Sequence, residues 1–184
     1  MRIRCLIGFA LLSCFFAGGA HGDTIGVYAD NSGTECNITD NTQTLLSIYV
    51  VHKSPQGAWA AQFSAPMPVC MTGATWLSDS AAYEVIGSSQ TGVAIGYGIC
   101  ATGPIHFLTI NYFAQGTSDP CCLYAVLPDP DVPSGQIEVV DCNGQLLYAQ
   151  GEVSTVNGDA SCPCGYPVAV EETTWGKVKS LYVE

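Results

Sequence analysis

The chain has 184 residues, with sixteen Asp and Glu against five Lys and Arg, and a net charge of −11 at pH 7. Such a surface repels phosphate backbones and anionic membranes, which excludes nucleic-acid binding as a function class. Ten cysteines divide into two, Cys5 and Cys14, in an apolar leader and eight in the body behind it.

The leader reads as a secretory signal over residues 1–22. Arg2 and Arg4 give a positive start, Leu6 to Ala17 an apolar run, and Ala20-His21-Gly22 a small-residue cleavage site before Asp23. The run breaks at Gly18 and Gly19, short of the about 20 residues that a membrane span needs. A second reading takes Leu11-Leu12-Ser13-Cys14 as a lipidation box, with the protein anchored through Cys14. Cleavage after Gly22 removes two of the five cations and no acid, so the net charge moves from −11 to −13. What remains has the length of one domain, expected over 23–170, followed by a tail over 171–184. No later segment is long and apolar enough to span a bilayer.

Behind the leader, short apolar segments rich in Val, Ile, Tyr and Phe alternate with clusters of Gly, Pro, Asn, Asp and Ser. This is the strand-and-turn pattern, and it predicts strands near 24–29, 45–53, 58–64, 83–88, 92–100, 105–114, 122–127, 136–142 and 146–156. In Gly92 to Cys100, Val93, Ile95, Tyr97 and Ile99 share one face, and glycine and alanine occupy most of the other. So small a face lets a second sheet or a covering loop approach closely. Asn143-Gly144, between two strand-like runs, predicts a hairpin with a type I′ turn. About nine strands at this spacing predict an all-β fold, a disulfide-stapled antiparallel β-sandwich, with a closed β-barrel as the alternative. Pro128-Asp129-Pro130-Asp131-Val132-Pro133 reads as an irregular crossing. Only the tail has helical spacing. Trp175, Val178, Leu181 and Tyr182 fall on one face behind a Thr174 cap, which predicts a short helix that must dock to be stable.

Export with an even cysteine count predicts that Cys36, Cys70, Cys100, Cys121, Cys122, Cys142, Cys162 and Cys164 form four disulfides. Eight cysteines allow 105 connectivities, and spacing alone leaves the pairing open. Extended backbone aims Cys121 and Cys122 to opposite sides, so they should bond different partners. The competing reading, a thiolate metal site, lacks the two-to-four-residue ligand spacing of structural zinc.

Catalytic signals are sparse. Behind the leader the histidines are His52 and His106, each at a strand position among apolar neighbours, and Ser88 and Ser89 do not form a nucleophile elbow. Glu138 and Asp141 flank one strand and are the carboxylates a glycan-directed hydrolase would draw on. Asp30 to Glu35 and Asp129 with Asp131 divide between weak calcium loops and ordinary Asx turns. Trp59, Trp76 and the tyrosines are candidates for a sugar-stacking platform or for cross-strand pairs, and Asn37-Ile38-Thr39 is a glycosylation sequon. No cofactor-binding loop is recognisable, so no cofactor is expected.

The tail, Glu171-Glu172-Thr173-Thr174-Trp175-Gly176-Lys177-Val178-Lys179-Ser180-Leu181-Tyr182, resembles the end of a group of small exported bacterial proteins of unknown role. Ile25 to Asp30 is similar to their mature start. Leu46-Ser47-Ile48-Tyr49-Val50-Val51 through Gln62-Phe63 resembles the opening strands of cohesin-like or immunoglobulin-like sandwiches. These resemblances imply a bacterial exported protein with a sandwich fold and bring no catalytic residue. The expected function is a secreted, non-enzymatic module for binding, adhesion or envelope attachment, with an unknown protein or glycan as its ligand. The alternatives are a secreted carboxylate-dependent hydrolase and a thiolate metal-binding envelope protein.

Overall fold

The computed structural model describes residues 22–164, and the tail positions Trp175, Val178, Leu181 and Tyr182 lie outside them. Every regular element in this span is a strand. In chain order these are β1 (Thr24–Tyr28), β2 (Asn37–Ile38), β3 (Gln43–Phe63), β4 (Thr75–Ser80), β5 (Glu84–Ser88), β6 (Gly92–Gln115), β7 (Cys122–Ala125), β8 (Ile137–Asp141), β9 (Leu146–Gly151) and β10 (Val153–Val156). Among the described residues no helix is long and apolar enough to cross a membrane.

The fold is built on β3 and β6, two long strands that pair antiparallel from Gln43↔Gln115 to Phe63↔Val93. The sequence predicts each as two strands, because Pro55 and Gly57 in one, and Gly103 and Pro104 in the other, look like turns. Pro55 and Gly57 sit in a β-bulge instead, and Gly103 and Pro104 pair in register with Ser54 and Lys53 beside it; the register shifts between Val50 and Val51, between Ser54 and Ala58, and between Ala58 and Ala60. A bulge adds residues to one strand and bends the pair without ending it. The β3–β6 ribbon therefore curls far enough for its two halves to serve different parts of one sheet.

That sheet has seven strands in the order β1-β9-β8-β3-β6-β4, with β5 also on β6, and a second sheet orders β2-β10-β7. Together they enclose the core of a β-sandwich. The barrel alternative is present on a small scale. β1 pairs with both β3 and β9, and β8 joins β9 to β3, so four strands close on themselves. Phe63 and Phe107 meet edge to face at 5.4 Å, with Tyr97 5.7 Å from Phe107. Ile25, Val27, Val93, Ile95, Ile110 and Val139 fill the space around them.

Four disulfides staple this core: Cys36–Cys164, Cys70–Cys122, Cys100–Cys142 and Cys121–Cys162. The adjacent Cys121 and Cys122 do take different partners, with Cys121 at a φ of 60°. Cys121, Asp159 and Cys162 come together, but both sulfurs are used in one bridge and offer no thiolate to a metal.

Three local expectations need correction. β4 is missing from the sequence reading because Thr75–Ser80 is almost wholly exposed and shows no alternation. The expected 146–156 strand divides at Glu152, where the chain passes from one sheet to the other. At the β8–β9 hairpin Gly144 alone takes positive φ, 77°, and its N–H donates to the Asp141 carbonyl at 3.0 Å. Cys142 and Asn143 thus occupy the centre of the turn and Gly144 its left-handed bulge position, rather than a two-residue type I′ turn. The Asp141 carboxylate holds this turn by accepting from the Asn143 and Gln145 N–H groups at 2.8 and 2.7 Å.

Candidate functional site

Among the described residues, the histidines and the serines beside candidate partners are committed to structure. His52 is completely buried. Its Nδ1 lies 2.9 Å from the Tyr97 hydroxyl and its Nε2 3.2 Å from Asp23 Oδ2. Burial pushes the Tyr97 hydroxyl pKa up, with the Asp23 charge and Tyr83 adding to it, so Tyr97 keeps its proton and donates it to Nδ1. Nε2 then carries the imidazole proton and donates to Asp23. Burial lowers the His52 pKa, against the raising effect of Asp23. Ser54 donates to the same carboxylate at 3.1 Å. The order is serine–carboxylate–imidazole, so the imidazole does not contact the hydroxyl and cannot act as its base. His106 stacks edge-on against Tyr49 at 5.2 Å and bonds Thr109, and burial lowers its pKa. Ser89 is buried and donates to Asp79, while Ser88 bonds Thr91.

The candidate calcium loops are filled from within. Asp30 receives Ser32, the Thr34 N–H and hydroxyl, and the Glu35 N–H. Desolvation pushes its pKa up, and these donors outweigh it and hold the carboxyl well below the usual range. Asp129 accepts from Gln62 and from the Asp131 N–H, both at 2.9 Å, and closes over Gly92, where a Cβ would strike its carboxyl. Asn37 accepts from the Gly158 N–H at 2.8 Å and donates to the Gly158 carbonyl, so the sequon amide is a structural link.

One part of the small face predicted on 92–100 is covered in this way, by the Asp129 loop over Gly92. Ala94 and Gly96 are open, and they form part of the floor of a groove of about 320 Å³. Strands β5, β6, β3, β8 and β9 lie side by side there, and their registers set two rows across the outer face. Glu84, Gly96, Ala60, Val140 and Leu146 form one, and Ile86, Ala94, Gln62, Glu138 and Tyr148 form the other. Ala60, Ala94 and Gly96 make the floor two strands wide, and nothing lies within 4 Å of where a Gly96 Cβ would stand. Ile86, 78% exposed, and Leu146, 53% exposed, rise on either side. An apolar depression between exposed aliphatic ridges is the surface feature that marks binding sites on soluble proteins.

Glu84 and Glu138 flank this floor from opposite walls. Their strands are three spacings apart, about 14 Å at the backbone, whereas paired glycosidase carboxylates stand about 5–10 Å apart. Between them lie methyl groups, a glycine and the Gln62 amide, which is held by Asp129. Asp141 is drawn into its turn, and hydrogen bonds, chiefly from the Gln145 N–H, lower its pKa. Trp59 sits at the Cys100–Cys142 end and donates its indole N–H to the Cys142 carbonyl at 3.2 Å. Trp76 bonds Asp79 at 3.1 Å. The two tryptophans therefore do not share a sugar-stacking platform. Sequence reading missed the groove as a whole. Its one visible signal was the alternation of small residues along 92–96.

No protein-family model and no curated protein sequence matches the chain. Among solved structures, the sixth cohesin of Acetivibrio cellulolyticus scaffoldin B, in complex with Cel5 dockerin, is similar with a TM-score of 0.48 at 13% identity, covering 75% of this chain and 99% of that one. A non-cellulosomal cohesin from the archaeon Archaeoglobus fulgidus gives 0.46 at 10% identity, over 73% and 91%. A cohesin module from a family 33 glycoside hydrolase of Clostridium perfringens gives 0.47 at 7%, over 75% and 98%. At these identities and scores the likeness is one of β-sandwich architecture alone.

Proposed function

We propose that this chain is a secreted, non-enzymatic β-sandwich module that holds a protein partner on the open face of β5, β6, β3, β8 and β9. The observation that carries the reading is the groove: an apolar floor of Ala60, Ala94 and Gly96 left open between the exposed side chains of Ile86 and Leu146. Glu84 and Glu138 on its flanks, in a chain of net charge −11, favour a partner segment that joins apolar side chains to basic ones. Four disulfides suit an oxidising compartment outside the cytoplasm. Cleavage of the leader after Gly22 suits the fold as well, since it retains Asp23, whose carboxylate anchors His52 and Ser54. Attachment to the envelope through the bound partner is the role this arrangement serves.

The test is capture of partner proteins from the producing cell's extracellular and envelope fractions on the immobilised mature chain and on an Ala94→Arg variant. A protein retained by the wild type and lost from the variant supports the reading. Equal retention by both places the binding surface elsewhere.

A further inference from the structure

The groove is an unpartnered apolar face in the described residues, and the chain itself carries a segment suited to it. Of the five cations in the sequence, Arg2 and Arg4 are in the leader and Lys53 is paired with Glu152 at 3.1 Å. The remaining two, Lys177 and Lys179, are both in the tail, interleaved with Trp175, Val178, Leu181 and Tyr182. The groove asks for the same combination of apolar stripe and flanking positive charge: a smooth floor with Glu84 on one wall and Glu138 on the other.

Dimensions agree as well. The strands carrying the two walls, β5 and β8, are about 14 Å apart, and a helix with its side chains is about 10–12 Å across. A helix of that width fits between the Glu84 and Glu138 walls with an apolar stripe on Ala60, Ala94 and Gly96. The tether is of the length required. Cys164, where the described residues end, is bridged to Cys36 at a Cα–Cα distance of 5.5 Å, beside Thr155 of β10, whose N–H donates to the Cys36 carbonyl, and from Thr155 back to Tyr148 the chain advances at most about 23 Å. Residues 165–174 span up to about 33 Å when extended.

We infer that residues 174–182 of this same chain lie in the β5–β6–β3–β8–β9 groove, as a tethered occupant that a partner must displace. The inference rests on the reading of the groove as a docking face. A tail on a linker of this length presents itself at an effective concentration on the order of millimolar. Free protein at micromolar levels therefore reaches the groove only by binding much more tightly than the tail, or after the tail is drawn off.

Amide hydrogen exchange on the mature full-length chain tests this. The wild type is compared with Ala94→Arg, which blocks the floor, and with Glu84→Lys/Glu138→Lys, which reverses the walls at exposed and half-exposed positions without touching the core. Amides of 174–182 should exchange at least tenfold more slowly in the wild type than in either variant, and equally slowly after tenfold dilution. Exchange at the free-peptide rate in the wild type overturns the inference. So does protection that survives both groove variants, and so does protection lost on dilution, which would mean that the tail of a second copy is the occupant. A fluorescent peptide of residues 171–184 is then added to a Trp175→Ala/Leu181→Ala chain. It should bind, and binding should vanish when Ala94→Arg is added. If the peptide does not bind while partner capture still depends on Ala94, the tail inference fails and the docking face stands. If capture is indifferent to Ala94, the docking face itself fails.

Discussion

Replacing both cysteines of the exposed bridge, Cys100→Ala/Cys142→Ala, measures how far this fold relies on its staples. The bridge closes a 42-residue loop and ties the bulge of β6 to the tip of the β8–β9 hairpin at one end of the groove. Freeing a loop of that length raises the entropy of the unfolded chain by an amount equivalent to about 4 kcal/mol at 25 °C. The other bridges cross-link the same region of the unfolded chain, so this figure is an upper bound. Folded-state contacts adjust it little. The main one is at Gly57, which lies under both sulfurs at a φ of 86°, and its neighbour Trp59 keeps its bond to the Cys142 carbonyl in the variant. In a domain of this size 1 kcal/mol moves Tm by about 2–4 °C, so the variant should melt several degrees below the wild type, with about 8–16 °C as the limit. Thermal unfolding by circular dichroism, without reductant, reads the shift. A drop under 3 °C would refute the reasoning, because the hairpin tip would then be held by its turn hydrogen bonds and not by the bridge.

Gly144→Val should cost about 1–3 kcal/mol, since φ of 77° at that position strains any β-branched residue, while Asn143→Val should cost well under 1 kcal/mol; urea unfolding of the two variants reads the contrast. Tyr124→Phe should destabilise by about 1–3 kcal/mol, because its hydroxyl bonds both the Tyr112 hydroxyl at 2.6 Å and the Ala65 carbonyl at 2.9 Å. Tyr112→Phe should cost less, since Tyr124 then still serves Ala65. His52, buried and neutral with its pKa held below the ordinary histidine value by burial, is protonated more readily in the unfolded chain. Stability should therefore be fully present above about pH 6.5 and fall by about 1.4 kcal/mol per pH unit below it, until the folded pKa is reached. His106 acts in the same direction, so His52→Gln should reduce the slope in urea unfolding between pH 6.5 and 5 without abolishing it. An unchanged slope would show that His52 does not titrate there.

Fold class was legible because it rests on local pattern. Alternation over 92–97 and 108–112, turn residues between apolar runs, and an even cysteine count each survive in the structure. Strand continuity was not legible, because Pro55, Gly57, Gly103 and Pro104 mark a bulge and a turn with the same residues. Whether the chain bends or stops at them depends on a partner strand fifty residues away. Disulfide pairing was equally hidden, since it follows from which loops the β3–β6 ribbon brings together. The groove was half visible. Ala94 and Gly96 announced a close approach, but their neighbours across it, Ala60, Glu138, Val140 and Leu146, join them only through non-local register. His52 and Asp23, 29 residues apart, were likewise joined only by the β1–β3 pairing, although an isolated histidine in an apolar strand did suggest a satisfied core residue.

The central claim is that the outer face of β5, β6, β3, β8 and β9 is where a partner binds. Hydroxyl-radical footprinting of the Trp175→Ala/Leu181→Ala chain, whose groove its own tail no longer fills, with and without its captured partner tests this most directly, since it reads the oxidation of individual exposed side chains. Binding should reduce labelling of Ile86, Leu146 and Tyr148 several-fold and leave Leu45 and Leu77, on other faces, unchanged. Protection at Leu45 and Leu77 with Ile86 and Leu146 labelled as in the free chain would contradict the account.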